Sequence, residues 1–404
     1  EPMSATTRLY YTDSTLREFA AAVVAAEPAD GCVAVRLDRT AFYPTSGGQP
    51  NDTGSLGSGR VVDVVDREDG TVWHMVEAAP VPAVGETVHG QVDWPRRFDH
   101  MQQHSGQHVL SAAFAQLYAA RTVGFHLGER ASTIDLDRPL SPEQVVASES
   151  AANAVVWDDR MVTVRLVSAE EAARLELRKP SSRTGRVRLV EIDRCDLSAC
   201  GGTHVERTGA IGIIAVSSAE RFKGGTRVGF VCGERALRHV RAQREQVAGC
   251  VRLLSVTPEE LVSEIERVQT DQREQWRVTR ALERRLVSLD AASLVAAGQP
   301  VGGATVVVSR LAGHDAGSLK AVAVEVVRRG GHVAVLTSDA RPVAVVVARA
   351  HDVDLDAAAL IRGLLGRWAG RGGGRPEVAQ GGGLDADPDE VTALARRLLG
   401  QALE

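Results

Sequence analysis

The stretch Asp99-His-Met-Gln-Gln-His-Ser-Gly-Gln-His108 places two histidines, His104 and His108, four residues apart. It lies within a helical pattern that opens at Pro95 and extends from Arg96 to about Ala120, with apolar residues recurring on one side. On a helix, side chains at positions i and i+4 project from the same face, so both imidazoles can reach one metal ion. The stretch therefore predicts a long helix that carries half of a metal site.

A second segment, Cys200-Gly-Gly-Thr-His204, places a thiolate and an imidazole four residues apart with two glycines between them. A tight loop of this kind would turn both side chains towards one point. One cysteine and three histidines suit zinc, which binds thiolate and imidazole in tetrahedral geometry. Each pair alone is weak evidence for a metal site. Histidine pairs at this spacing are common on solvated helices, and a single cysteine with a histidine four residues later is weaker evidence still. Together they favour a Zn2+ site of His104, His108, Cys200 and His204.

The remaining patterns predict an α+β multi-domain protein of four parts. Short apolar runs between turn clusters predict a small N-terminal β-barrel with a glycine-rich element over 1–95, and mixed strands and helices predict the zinc-containing core over 96–233. Residues 234–295 predict a helical hairpin, because Thr257-Pro-Glu-Glu260 is a strong helix start in a region nearly free of glycine and proline. Residues 296–404 predict a C-terminal α/β domain.

The composition of the 404 residues is that of a soluble globular protein, with 44% hydrophobic and 25% charged residues. It excludes a disordered, collagenous or membrane-spanning chain. The 47 basic and 52 acidic residues give a net charge of −5, which argues against a general basic coat for nucleic acid. Five irregularly spaced cysteines fit a reducing compartment. With no pattern typical of a signal peptide or a membrane span, we expect a cytoplasmic protein without membrane contact.

The metal motif resembles the editing domain of alanyl-tRNA synthetases and the free-standing alanyl-tRNA editing proteins of the long type. A related motif is typical of threonyl-tRNA synthetase editing domains. Other segments agree: a glycine-rich barrel element, a strand pair of the editing core, and the glycine-rich signature of the C-terminal domain of alanyl-tRNA synthetase. They are Tyr43–Gly54, Thr122–Gly128 with Ser132–Leu136, and Arg371–Gly383.

The resemblance implies a hydrolase that acts in trans on the ester joining serine, or glycine, to tRNA(Ala). It implies contacts with the acceptor end and the body of that tRNA. No aminoacylation module is apparent before the barrel, which favours a free-standing protein. Three alternatives are a non-enzymatic tRNA-binding protein with a structural zinc, an editing hydrolase for Ser-tRNA(Thr), and an unrelated zinc amidase or peptidase. Ser105 disfavours the last, because the residue after His104 would be glutamate in a His-Glu-x-x-His helix.

Editing of serine needs a pocket group that hydrogen-bonds its hydroxyl, because an apolar pocket separates serine from alanine poorly. Backbone amides of the ligand loop could stabilise the oxyanion, since glycine allows close approach. If Cys200 is the loose ligand, a water could replace it and be activated by the metal, which we expect; four bound ligands would make zinc a purely ordering group. Asn51 fits equally as a turn residue. The pocket candidates are Gly47, Gly48, Gln49, Asn51, Thr122, Ser132, Thr133, Gly201 and Gly202.

Two basic regions are candidate tRNA contacts. Residues 178–188 hold five basic side chains and no acid, which predicts either phosphate contact or a solvated face. The C-terminal glycine-rich signature combines arginines with backbone that RNA can approach. The helical hairpin between them would act as a spacer, and either it or the C-terminal domain could mediate a homodimer. The candidate residues are Arg178, Lys179, Arg183, Arg371, Gly373, Arg375, Gln380 and Gly382.

Overall fold

The computed structural model describes residues 5–29, 31–77, 80–178, 185–368 and 370–403. The chain divides into two units, Glu1–Leu253 and Leu254–Glu404. The bounds of the four predicted domains stay a prediction. Among the described residues, none of the helices combines the length and the hydropathy that a membrane span requires.

Six strands near the start of the first unit close into a barrel, which confirms the predicted fold of this region. The order around the barrel is β2-β3-β7-β6-β5-β8, while β1 and β4 form a separate parallel pair. Alternate side chains such as Val35, Val61 and Val76 fill its interior. The strands are β1 (Thr7–Arg8), β2 (Glu18–Ala29), β3 (Cys32–Leu37), β4 (Arg39–Thr40), β5 (Gly54–Leu56), β6 (Gly59–Asp66), β7 (Val72–Glu77) and β8 (Thr87–Val92).

The rest of the first unit surrounds one long helix, α1. A four-stranded sheet has the order β14-β15-β10-β9, and a three-stranded sheet has the order β11-β12-β13. The elements are α1 (Trp94–Tyr118), β9 (Thr122–Leu127), β10 (Ser132–Leu136), α2 (Pro142–Trp157), β11 (Val162–Ser168), α3 (Ala169–Ala173), β12 (Arg186–Ile192), β13 (Asp196–Ala199), β14 (Ile214–Phe222), β15 (Gly225–Cys232) and α4 (Glu234–Leu254).

Helix α1 is the central element of this unit, as its buried residues show. Asp93 caps its N-terminus and Pro95 lies in its first turn, while every residue from His100 to Phe114 is buried. The buried guanidinium of Arg97 donates through Nε to the Asp52 carboxylate at 3.0 Å, which ties the helix to the barrel. A helix buried on all sides can present its histidines to a dry interior rather than to solvent.

The second unit is an α/β domain with helices on both faces of a six-stranded sheet, as predicted. The sheet order is β16-β17-β18-β19-β21-β20, with only the β17–β18 pair parallel. One face packs with α5 and α6, and the other packs with α7 and α8. The elements are α5 (Leu261–Ala296), β16 (Gln299–Val301), β17 (Ala304–Leu311), α6 (Ala316–Val327), β18 (His332–Ser338), β19 (Val343–Arg349), α7 (Ala357–Leu365), β20 (Arg371–Gly374), β21 (Val378–Leu384) and α8 (Pro388–Leu403).

Candidate metal centre

The four side chains predicted to bind a metal lie together in the first unit. His104 and His108 project from α1, and Cys200 and His204 come from the loop that follows β13. Their nitrogen and sulfur atoms all lie within 4.8 Å of one another. The Cys200 Sγ atom is 3.3 Å from Nε2 of both His104 and His204. One thiolate and three imidazoles around a common point fit the donor set of zinc.

Each histidine has a partner on its second ring nitrogen. His104 Nδ1 lies 2.8 Å from Gln49 Oε1, and His108 Nδ1 lies 2.7 Å from an Asp196 carboxylate oxygen. His204 Nδ1 lies 3.2 Å from Ser105 Oγ. Partners of this kind fix the ring orientation and leave Nε2 as the donor towards a metal.

The loop that carries Cys200 is held on several sides. The Gly202 amide donates to Cys200 Sγ at 3.4 Å, and a Cβ atom at position 202 would lie only 2.1 Å from the His104 ring. Behind the loop, the buried guanidinium of Arg188 donates to the carbonyl oxygens of Cys200 at 2.9 Å, Gly202 at 2.8 Å and Tyr11 at 3.0 Å. These bonds fix the backbone of the loop around Cys200.

The electrostatics favour a thiolate. Burial raises the pKa of the Cys200 thiol, but the adjacent imidazoles of His104 and His204 outweigh burial and bring the pKa well below its ordinary value. Burial lowers the pKa of His108, but its hydrogen bond to Asp196 reverses this effect and raises the pKa to about 9. Burial lowers the pKa of His204 to about 3, so this imidazole is neutral and the lone pair of its unprotonated ring nitrogen can bind a metal.

The ligand cluster is more accessible at the cysteine loop than elsewhere. The three histidines are buried, while Cys200 and Gly201 are partly exposed. A polar cleft of about 430 Å³ lies beside this loop, with Tyr11, Ser46 and Gly201 among its lining residues. This side of the cluster is therefore where a substrate could approach.

The glycine-rich barrel element contributes Gln49 to the site. Gln49 Nε2 donates to Thr203 Oγ1 at 2.9 Å, and the Thr203 amide donates to Gln49 Oε1 at 3.2 Å, so Gln49 links the barrel to the ligand loop. Gly47 and Gly48 have positive φ angles of +52° and +80°, and a Cβ at position 48 would lie 2.9 Å from Phe125. These two glycines are thus explained by the turn that presents Gln49.

The other pocket candidates lie in different surroundings. Asn51 donates through Nδ2 to the backbone oxygens of Asp52 and Val62, a local role consistent with a turn. Thr122 donates to Ser111 Oγ on α1 at 2.8 Å. Thr133 alternates with the buried Ser132 and Ile134 and so lies on the opposite face of β10. The Gly202 amide is taken up by the thiolate, which leaves the Gly201 amide as the candidate oxyanion donor.

Within the first basic region, Arg178 contacts a carboxylate of the candidate site, and the contact of this region with tRNA stays a prediction. Arg178 donates to Asp196 through Nε at 2.5 Å and through Nη2 at 3.3 Å, so it holds the carboxylate that orients His108. Lys179 and Arg183 lie outside the described residues. Asp196 is a site residue that sequence patterns do not reveal, because only the fold brings it to His108.

The C-terminal glycine signature forms a hairpin of β20, an exposed edge strand, and β21, the partly buried strand next to it. Register pairs Arg371 with Gly382 and Gly373 with Gln380, which places these four predicted residues on one face. Arg375 lies in the turn between the two strands. At Gly373 and Gly382 a Cβ atom would meet open space, so packing does not explain glycine there.

Comparisons with known proteins agree with this site. Residues 5–96 match a family described as "tRNA synthetases class II (A)", and residues 187–228 match "Threonyl and Alanyl tRNA synthetase second additional domain". The alanyl-tRNA editing protein AlaX-L of Pyrococcus horikoshii is 29% identical, over 98% of this chain and 99% of its own length. This chain is therefore similar to an alanyl-tRNA editing protein along its whole length. The resemblance predicted from the motifs is confirmed.

Alanine–tRNA ligases are also similar to this chain. The enzyme of Halobacterium salinarum is 36% identical over 98% of this chain, and the enzyme of Pyrococcus abyssi is 34% identical over 93%. The chain spans 44% and 42% of the lengths of these two proteins. Among solved structures, the C-Ala domain of Aquifex aeolicus alanyl-tRNA synthetase matches 26% of this chain and 96% of its own, with 24% identity and a TM-score of 0.24.

Proposed function

We propose that this protein is a trans-editing hydrolase that removes serine, and also glycine, from mischarged tRNA(Ala) by cleaving the aminoacyl ester. The observation that carries the proposal is the assembled cluster of His104, His108, Cys200 and His204 in a chain that matches an alanyl-tRNA editing protein along its whole length. The threonyl and alanyl synthetase domain matched over residues 187–228 includes Cys200 and His204. The polar cleft beside the ligand loop supports an enzymatic role, because it would let a substrate reach this side of the cluster.

The donor chemistry of the cluster fits Zn2+, which would be held by His104, His108 and His204 through Nε2 and by Cys200 through Sγ. With all four side chains bound, the zinc would order the ligand loop and the pocket beside it. Because Arg188 and the Gly202 amide hold Cys200 firmly, the geometry supports four protein ligands over three ligands and a water. This differs from the expectation drawn from the sequence.

Residues of the chain itself would prepare the site for ester hydrolysis. Gln49, Asp196 and Ser105 orient the three imidazoles through their Nδ1 atoms. The Gly201 amide lies at the accessible side, where it would donate to the developing oxyanion. The buried hydroxyl of Ser132 has no hydrogen-bond partner within the described ranges, which makes it and Thr122 the candidates for binding the serine hydroxyl.

Contacts with tRNA(Ala) would be divided between the two units. The acceptor end would enter at the cysteine loop, and the β20–β21 hairpin would contact the body of the tRNA through Arg371, Gly373, Arg375, Gln380 and Gly382. Because charged tRNA is its substrate, we place the protein in the cytoplasm. A homodimer through the helical segment or the C-terminal domain is part of the same proposal.

One assay tests this function. The full chain should release serine from Ser-tRNA(Ala) faster than alanine from Ala-tRNA(Ala), and it should be slow on Ser-tRNA(Thr). Metal content and release are measured together during chelator titration, and Cys200→Ala should lose both. Cys250→Ala is the matched control, because that thiol is exposed and remote in sequence from the motif. Full release by a metal-free sample, or tRNA binding without release, would contradict the proposal.

A further inference from the structure

The middle of helix α5 is exposed on every side. All residues from 271 to 286 are exposed, whereas the C-terminal part of the same helix buries Ala291 and Leu294 against the sheet. A helical segment without a packed face contributes little to the core of its own unit. Its side chains are therefore available to a partner.

Five side chains on this segment form one stripe, which we name the α5 stripe. Their spacing of three or four residues places them along one helix face. Four line a shallow surface depression together with Gln272. The members are Arg273, Trp276, Arg277, Arg280 and Arg284.

The charge of the segment differs from that of the whole protein. Residues 271–286 contain five arginines and three acidic residues, while the chain as a whole has a net charge of −5. The acids flank the stripe or lie opposite to it, and Glu274 pairs with Arg277 at 3.5 Å across an exposed helix surface. Exposed pairs of this kind are weak and easily exchanged for a stronger anion. The stripe is thus a local cationic surface.

Trp276 gives the stripe an aromatic centre. Its side chain is 60% exposed, in a chain where aromatic residues make up only 4%. The guanidinium of Arg280 lies 5.7 Å from the centre of its ring. Arginines that track phosphates, together with an aromatic ring on which a base can stack, are the usual elements of RNA-binding surfaces. The exposed apolar side chains of the same segment, Val278, Leu282 and Leu286, lie on the opposite face of the helix, so a protein partner would contact that face rather than the α5 stripe.

We propose that the α5 stripe is an RNA-binding surface that contacts phosphates and one unpaired base. If the chain edits tRNA(Ala), that RNA is the substrate tRNA. Helix α5 would then be a binding element in its own right, rather than the spacer that the sequence suggested.

The test measures the affinity of the full chain for uncharged tRNA(Ala) transcript by fluorescence anisotropy at several salt concentrations. The R273Q/R280Q variant should bind about ten-fold more weakly and lower the slope of log K against log salt by about 2, as expected for two lost phosphate contacts. W276A should bind about five-fold more weakly or worse through lost stacking, and W276F should retain most of the affinity. The matched control, R267Q/R285Q, removes two exposed arginines of the same helix outside the stripe and should change little.

Equal losses in the stripe and control variants would overturn the inference, because general charge would then explain binding. An unchanged RNA affinity accompanied by a changed molecular mass in sedimentation would also overturn it, since the stripe would be a protein interface. Serine release is measured separately on the same variants. A chain that binds tRNA through the stripe but releases no amino acid would refute the proposed function and leave this inference standing.

Discussion

The candidate metal cluster and the candidate RNA-binding hairpin of β20 and β21 differ in how their residues are held and how far they are exposed to solvent. In the cluster, Gln49, Asp196 and Ser105 each hold one imidazole, and the three histidines are buried. In the hairpin, all residues of β20 are exposed and the strand lies at the edge of its sheet. Binding a small ion and an ester requires donors fixed to within a fraction of an ångström. Contact with a long polyanion requires accessible backbone and charge, and tolerates movement.

Gly202→Ala is expected to have the largest effect, and this effect would concern the metal cluster and not the β20–β21 hairpin. Its new Cβ would lie 2.1 Å from the His104 ring and 2.9 Å from Gln49 Oε1, so the ring must leave its position. We expect loss of bound metal and a fall in serine release beyond the roughly 100-fold upper cost of losing an outer hydrogen-bond partner.

Gly201→Ala is the matched control, because its Cβ would meet only the Tyr11 hydroxyl at 3.6 Å. Metal content by elemental analysis and release rates are compared for both variants. Equal metal content in the two would show that the tight contact at position 202 does not define the site.

An intermediate effect is expected from Asp196→Asn, which tests whether the outer partners matter. The neutral amide no longer stabilises the His108 imidazole as the carboxylate does, and it also loses the ion pair with Arg178. Metal affinity should fall by roughly 10- to 100-fold, measured by competition with a chelator.

Asp193→Asn serves as the control, since that carboxylate is exposed and pairs only with the neighbouring Arg194 at 3.2 Å among the interactions found. A variant at position 196 that retains full metal affinity would argue that the four ligands alone determine the site.

The smallest effect is expected from R371Q/R375Q in the hairpin. Loss of two phosphate contacts should weaken tRNA binding several-fold and lower the salt slope by about 2, while metal content stays unchanged. R396Q/R397Q removes two exposed arginines of α8 in the same unit and should have little effect on either measurement. Loss of metal in the hairpin variant would contradict this comparison, because the hairpin would then influence the metal cluster.

Much of the fold follows from local sequence. The strands Thr87–Val92 and Ser132–Leu136 begin and end where their apolar patterns do, and the Thr257–Glu260 capping box is present. The longest barrel strand, Glu18–Ala29, is harder to predict, because alanine and glutamate favour a helix and only its neighbours β3 and β8 make it a strand. The sequence over 169–177 favours a helix by propensity, but α3 ends at Ala173, since Leu175 and Leu177 turn away to pack against the small sheet.

The ligand set of the site was predictable from the sequence, because spacing by four residues is a local property of a helix or a tight loop. Within each pair, His104 with His108 and Cys200 with His204, the local backbone already places the two side chains close together. Tertiary structure alone decided which groups orient these ligands. Gln49 is 55 residues from His104, and Asp196 is 88 residues from His108, so no short pattern connects them. The barrel and β13 bring Gln49 and Asp196 to the buried face of α1. The low dielectric there strengthens each hydrogen bond to a ligand.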